Sequence, residues 1–475
     1  MKTIKQNKTG LAWINKDRTS QAVKCVIAFS TMVLLGGCQG LQTFQKQPLD
    51  LPSHSSKWLN QAPDTDLVMD FVKLIEAKSG KSTNFNPANG VSMNEAQMIA
   101  LVYNPDLRVA RLKANVTAAT AKHAGLWDDP TVSFDILRVT DSVPKPWIVG
   151  GSISLTVPLS GRLRVEKSQA KAVMHAELDR VAEEEWRVSN DLEKTWLAWS
   201  ALQSELDQTK NVVSTLDSIV KSSKQLAEQG EIPKTEANLF TIEQTSQKIE
   251  IDRLRGEVLA TEQEIRGLMG LSPKAPVKLI STLNVRSWAP NNQRLAINNP
   301  SLNRLRSEYK VAEYDLLLEI RKQYPDLEIG PAVEREEGQS KVGFLGAIPI
   351  PSLNANRGGI AKAKANRQLA QAAFETEYER YVGKLAALKA RKNALNSQNA
   401  SMKKTLIPMV DQQLLDAKKL IDLGEGDSLV LLESFIRAHE AKLKVIAIQL
   451  KKSQVESDIR FLLGPTNHKS IITNK

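Results

Sequence analysis

Two halves of this chain repeat each other at a step of 195 residues, so it must fold as one unit used twice. Asn104-Pro105 recurs as Asn299-Pro300, Pro130 as Pro325, Gly151 as Gly346 and Arg162 as Arg357. After a slip of one residue the match continues as Gly230 to Gly424, Arg266 to Arg460 and Gly270 to Gly464. A step held through a whole half-chain marks a structural duplication. Each unit reads helix, strand, strand, long helix, tight turn, helix. The units are set at 93–280 and 281–466, flanked by a leader (1–37), an N-terminal segment (38–92) and a tail (467–475).

Aromatic residues are only 5% of the 475 and charged residues 25%, a profile of long helices with narrow apolar seams rather than a thick core. The net charge of +11 is no sign of nucleic-acid binding. Lys2, Lys5, Lys8, Lys16, Arg18 and Lys24 against Asp17 put +5 of it in the leader. The rest alternates with acids, and no dense basic stripe carries interleaved aromatics.

The basic leader is followed by an apolar run, Val26 to Leu35, too short to span a bilayer but suited to a signal-peptide core. Leu35-Gly36-Gly37-Cys38 then resembles the bacterial lipoprotein cleavage box, which implies a lipid (palmitate among its chains) on Cys38 as the mature N-terminus. Gln39 is the residue that pattern associates with outer-membrane sorting. The other cysteine, Cys25, falls in the leader, so the mature chain has no disulfide.

Four short segments alternate with period two: Thr131 to Val139, Ile148 to Val157, Leu327 to Val333 and Val342 to Ile350. The longer ones have the nine or ten residues that a tilted strand needs to cross a membrane. Trp127, Trp147 and Tyr324 flank them, as interfacial aromatics do. No adjacent amphipathic segment offers a core on which such a sheet could bury a face. Four strands cannot close a barrel, and open edges are not tolerated in lipid, so closure requires several copies. Three copies make twelve strands.

Arg162 to Gln229 and Arg357 to Leu423 carry little helix punctuation except Pro408, which predicts a kink near Leu406-Ile407. A helical path of about 65 residues extends roughly 100 Å. Val212, Leu216 and Ile219, and Val410, Leu414, Ala417 and Ile421, have the 4–3 spacing of coiled-coil seams. Ala361, Ala363, Ala365, Ala370, Ala372 and Ala373 would permit close helix approach near the strands. The turns Gly230-Glu231-Ile232-Pro233 and Gly424-Glu425-Gly426-Asp427 join long antiparallel helices, with glycine for the helix end and Pro233, Asp427 or Ser428 for the next start.

These features together resemble the TolC family of outer-membrane efflux factors, over about Val91 to Gly464. The matching text is Ala100-Leu101 with Asn104-Pro105-Asp106-Leu107, Ala124-Gly125-Leu126-Trp127-Asp128-Asp129-Pro130, the run Pro351 to Ala361, Leu406-Ile407-Pro408 and Leu423-Gly424-Glu425-Gly426. The resemblance implies a mainly helical protomer with membrane β-strands. Its homotrimer would be a twelve-stranded β-barrel in outer-membrane lipid, continued by a periplasmic α-barrel. It also implies a periplasmic adaptor protein and an inner-membrane pump of the resistance-nodulation-division type as partners, with both turns at the adaptor-contacting tip. Gly125-Leu126-Trp127 and the run ending Asn356-Arg357-Gly358-Gly359 lean toward the heavy-metal-cation branch.

The family carries two pore-facing acids one helical turn apart after the second turn. Glu433 matches the second, Val430 occupies the first, and Glu236 takes the equivalent place in the first repeat, so Glu433 and Glu236 are the candidate gate. His54, His123, His175, His439 and His468 have no ligand spacing and read as surface residues, and no metal or other cofactor is expected. No phosphate-cradling loop, zinc-helix motif or nucleophile–base pair suggests an enzyme. The alternatives are a type I secretion duct and a non-porous periplasmic coiled-coil scaffold.

Overall fold

The computed structural model of the chain describes residues 44–465 apart from Lys81 and Gly424. The expected signal peptide, Cys38, Gly424, His468 and the 467–475 tail lie outside the described residues. The chain clusters into two units, 1–56 and 57–475. In the first, the described residues are a stretch without helix or strand to Asp50 and the start of α1 (Leu51–Leu59).

In the second unit the two repeats are plain in the order of elements. The first comprises α3 (Met93–Tyr103), α4 (Pro105–Lys122), β1 (Thr131–Arg138), β2 (Trp147–Pro158), α5 (Arg162–Gln229) and α6 (Lys234–Leu268). The second comprises α7 (Asn292–Asn298), α8 (Pro300–Arg321), β3 (Asp326–Glu336), β4 (Gln339–Ala347), α9 (Arg357–Ser401), α10 (Ile407–Asp422) and α11 (Ser428–Leu463). Helix α2 (Asp66–Ser79) precedes both and sends Val68 and Val72 into the first core, so the 38–92 segment is partly a packing element.

One local device, used twice, explains the duplicated Asn-Pro and Gly. Asn104 Oδ1 accepts from the backbone N–H groups of Asp106 and Leu107 (3.0 and 3.2 Å), capping α4, while its Nδ2 donates to Leu268 O at 2.8 Å. Asn299 caps α8 through Leu302 N at 3.0 Å and donates to Leu462 O at 2.8 Å. Asparagine suits this because one amide can both accept at a helix start and donate across to another helix's end. Gly270 and Gly464 follow the donated-to carbonyls with φ of 77° and 71°. A Cβ on Gly270 would overlap the Tyr103 carbonyl, and one on Gly464 the Asn298 carbonyl. The cap and the glycine are two sides of one joint.

Helix α5 runs unbroken for 68 residues, about 100 Å. Its counterpart does not. A π turn, Met402–Leu406, separates α9 from α10 directly before Pro408. Ile407 N–H reaches back to Met402 O, and the widened turn makes room where proline would clash with the preceding carbonyls. The predicted kink is therefore a π turn.

Leu192, Trp196, Ile99, Leu254 and Ile265 build the first core, and Leu295, Leu302, Leu385, Ile459 and Leu462 the second. A third cluster joins Val212 and Leu216 of α5 to Phe435 of α11, with Ile219 and Leu414 against it. The two seams read from spacing thus meet around Phe435. Of the small residues in α9, Ala363 is buried, whereas Ala361, Ala365, Ala372 and Ala373 stand exposed.

All four strands join one antiparallel sheet in the order β1-β2-β3-β4. Pairing puts Val132, Phe134 and Ile136 on one face with Val149, Ile153, Leu155 and Val157, then Leu327, Ile329 and Val333, then Val342 and Phe344. The opposite face carries Ser133, Asp135, Ser152, Ser154, Glu328, Glu334 and Lys341, with Leu137, Ile148 and Leu345 as large apolar exceptions. Both edge strands are exposed along their whole length.

Candidate functional site

The sheet and the tip of the helical hairpins are the two places where the chain departs from simple helix packing. At the junction of sheet and helices, Arg162 opens α5 and holds three carboxylates: Asp128 before β1 (2.8 Å), Asp326 at the start of β3 (3.1 Å) and Glu166 (2.9 Å). A guanidinium fork can serve several acids at once, which a lysine cannot match. The backbone before it turns in the left-handed region at Gly161 (φ 69°) and, one repeat on, at Asn356 (φ 52°). Glycine and asparagine are the residues that tolerate it.

The apolar face of the sheet has no cover. Phe134 is 81% and Phe344 71% exposed, and Trp127 and Tyr324 stand exposed at the helix end with Trp147 at the far end. Arg138 lies over the Trp147 ring at 5.7 Å. From Trp147 to Val157 the strand rises about 33 Å, or about 25 Å once tilted by roughly 40°, the height of a barrel's apolar band. Across β2 and β3, Ser154 Oγ donates to Glu328 Oε1 at 2.6 Å on the polar face. No described helix is long and apolar enough to cross a membrane.

At the tip, the first turn ends α5 at Gly230 (φ 77°), with Glu231 N–H donating to Leu226 O at 2.9 Å. In the second turn Glu425 N–H donates to Leu420 O at 3.0 Å, and Asp427 caps α11 by accepting from Leu429 N at 2.8 Å. Gly426 lies so close to the Ile421 backbone that a side chain would collide with it. Between the turns lies a groove of about 560 Å³ whose walls include Ile219, Leu226, Ile232, Pro233, Phe240, Ile421 and Leu431, with Glu231, Glu236, Lys418 and Asp427.

The structure does not bring Glu236 and Glu433 together. Glu236 lines the groove and takes a hydrogen bond from Ser428 of the other hairpin. Glu433 lies in a separate depression with Gln413, Val430 and Arg437, and Arg437 Nη2 is 2.6 Å from it. Arg437 was not singled out from sequence, and Ser428 only as a helix start, although the i,i+4 spacing of Glu433 and Arg437 is a signal for such a pair. His439 also differs from expectation: it is 7% exposed, on the face of α11 that carries Phe435 and Ala438. Burial pushes its imidazole below the usual range, against the opposing pull of Glu243 and Glu440. No cluster of potential metal ligands occurs among the described residues.

No family model matches the chain, and no curated protein matches it in sequence. Solved structures do. The outer-membrane channel OprN is similar with a TM-score of 0.69 at 15% identity, over 89% of this chain and 98% of that one. CusC, a protein that forms a transmembrane channel, matches with a TM-score of 0.68 at 13% identity, over 89% and 99%. The outer-membrane protein VceC of Vibrio cholerae matches with a TM-score of 0.67 at 15% identity, over 78% and 96%. The described helices and four-stranded sheet thus have the fold of these outer-membrane channel proteins, nearly over their full length.

Proposed function

We propose that the chain is a TolC-family exit duct of the outer membrane. In this reading three copies close a twelve-stranded barrel and pass substrates outward from an adaptor and an inner-membrane pump. One observation carries it: the sheet is apolar on one face and polar on the other, with that apolar face and both edges uncovered. Water does not tolerate the first for long, and lipid does not tolerate open edges. A closed ring of copies in a bilayer answers both. The polar face, with Asp135, Glu328 and Glu334, then lines the lumen. Acylation at Cys38 would add a membrane anchor.

Purified mature protein, freed of acyl chains, is expected to require detergent, to have the mass of a trimer, and to conduct ions in planar bilayers. A water-soluble monomer overturns the reading. A trimer without conductance favours the scaffold instead.

The apolar groove between the two turns is the proposed adaptor contact, and the bond between Glu236 and Ser428 ties its walls. A resistance-nodulation-division pump is the proposed energy source, and metal cations are the proposed cargo on the strength of Gly125-Leu126-Trp127 and Asn356-Arg357-Gly358-Gly359. Glu433 with Arg437 forms the proposed selectivity ring. Because each acid has a cation beside it, cation preference in the wild type should be weak. Glu433→Lys adds two positive charges per copy and is expected to shift the reversal potential in a salt gradient toward anions. An unchanged potential removes Glu433 from the pore.

A further inference from the structure

The strands sort their charges by face. The register puts every strand carboxylate on the polar face: Asp135, Asp326, Glu328, Glu334 and Glu336. Lys341 lies there too, held by Glu334 and Glu336. Both strand arginines fall on the apolar face instead. Arg138 pairs with Trp147, and Arg335 with Val149 on one side and Ser340 on the other. Both are exposed, and neither has an ion pair among the described residues. The acids of the adjoining loops, Asp141 and Glu337, lie beyond the strand ends and pair with neither arginine. The helix end of the sheet is the contrast, since Arg162 there is held by three carboxylates.

In the bilayer that the duct reading requires, this face meets lipid, and a guanidinium facing lipid has to find an anion or reach water. Closing the ring brings none, because neither edge strand carries an acid on the apolar face. Trp147 sets the depth, since its ring belongs at the level of the headgroups, and Arg138 lies over that ring at 5.7 Å. Arg335 stands one pairing row nearer the helices, where its methylene stem can cover apolar surface while its head rises to the same level. Two strand spacings across and two residues along put the two Cα atoms about 12 Å apart, with Trp147 and Val149 exposed between them.

We propose that Arg138 and Arg335 bind the phosphorylated headgroup of a lipid in the leaflet away from the helices. Each guanidinium fork can take two phosphate oxygens at once. A phosphate monoester carries about −1.5 to −2 charge at neutral pH, which two guanidiniums match. The acyl chains of that lipid then run toward the helices over Ile136 and Phe134, which have no other cover. A carboxylate on the protein would serve the arginines less well, because it would itself have to face the hydrocarbon. The absence of acids from this face is thus what leaves the two forks to the lipid.

This site rests on the duct reading, and one experiment separates the two. The purified full-length protein in detergent is mixed with dioleoyl phosphatidic acid, with dioleoylglycerol or with inorganic phosphate, and retained lipid is read by native mass spectrometry. Phosphatidic acid is expected to stay bound about tenfold more than dioleoylglycerol, which has the same chains and no phosphate. The double variant Arg138→Gln with Arg335→Gln should lose that excess, whereas Lys341→Gln, on the opposite face, should keep it. Equal retention of the two lipids, or an excess that persists in the double variant, overturns the site. Release of the bound lipid by an equimolar amount of inorganic phosphate makes a free anion the ligand and overturns the lipid assignment. The same spectra give the oligomer: a trimer that retains no phosphatidic acid overturns this site and leaves the duct standing, whereas a water-soluble monomer overturns both.

Discussion

Phe134→Arg is expected to abolish stable insertion of the sheet into a bilayer while leaving the helices folded. Phe134 lies mid-strand on the apolar face and takes no part in any core cluster, so its loss removes little from the protomer. Arginine on a lipid-facing strand near the bilayer centre costs about 2–4 kcal/mol, which three copies raise to about 6–12 kcal/mol. Ser133→Arg places the same charge one residue away, on the polar face, and should insert within a few-fold of wild type. Flotation with liposomes distinguishes the two. Equal flotation of both variants would mean that the faces of the sheet are wrongly assigned to lipid and lumen.

The second large effect is expected at the joint that each repeat repeats. Gly270→Ala should destabilise the first helical core by about 3 kcal/mol or more. Left-handed backbone costs an alanine about 1–2 kcal/mol, and its methyl group must also displace the Tyr103 carbonyl. Gly464→Ala should do the same in the second core, through Asn298. Gly256→Ala is the counterexample. It lies inside α6 with nothing near the site, so it should stabilise by about 0.5–1 kcal/mol. Thermal unfolding followed by circular dichroism in detergent reads all three, and a common sign for them would refute the joint.

The duplication, the four strands and the long helices were legible because each rests on a period or a fixed step. Helix α5 begins and ends where punctuation alone put it. The strands were found with ends shifted by up to three residues, since alternation fades at Gly338 and at the prolines after Ala347. What Asn104 and Gly270 do was less legible, because their partners lie 164 or more residues away and only folding brings Leu268 and Tyr103 to them. The tip shows the same limit. Helical spacing could align Glu236 with Val430, yet Glu236 is set by Ser428 across the hairpins, a contact with no local signature. Burial of His439 was missed, although Phe435, four residues before it on the same face of the helix, was a signal for it.

The π turn occurs in one repeat and not the other, and this breaks an apparent equality. In a ring of three copies the six descending staves would alternate between a stiff rod and an articulated one. Bending strain would gather at three joints just above Pro408 rather than spread over six, so such a ring would dilate with threefold compliance although its architecture is nearly sixfold.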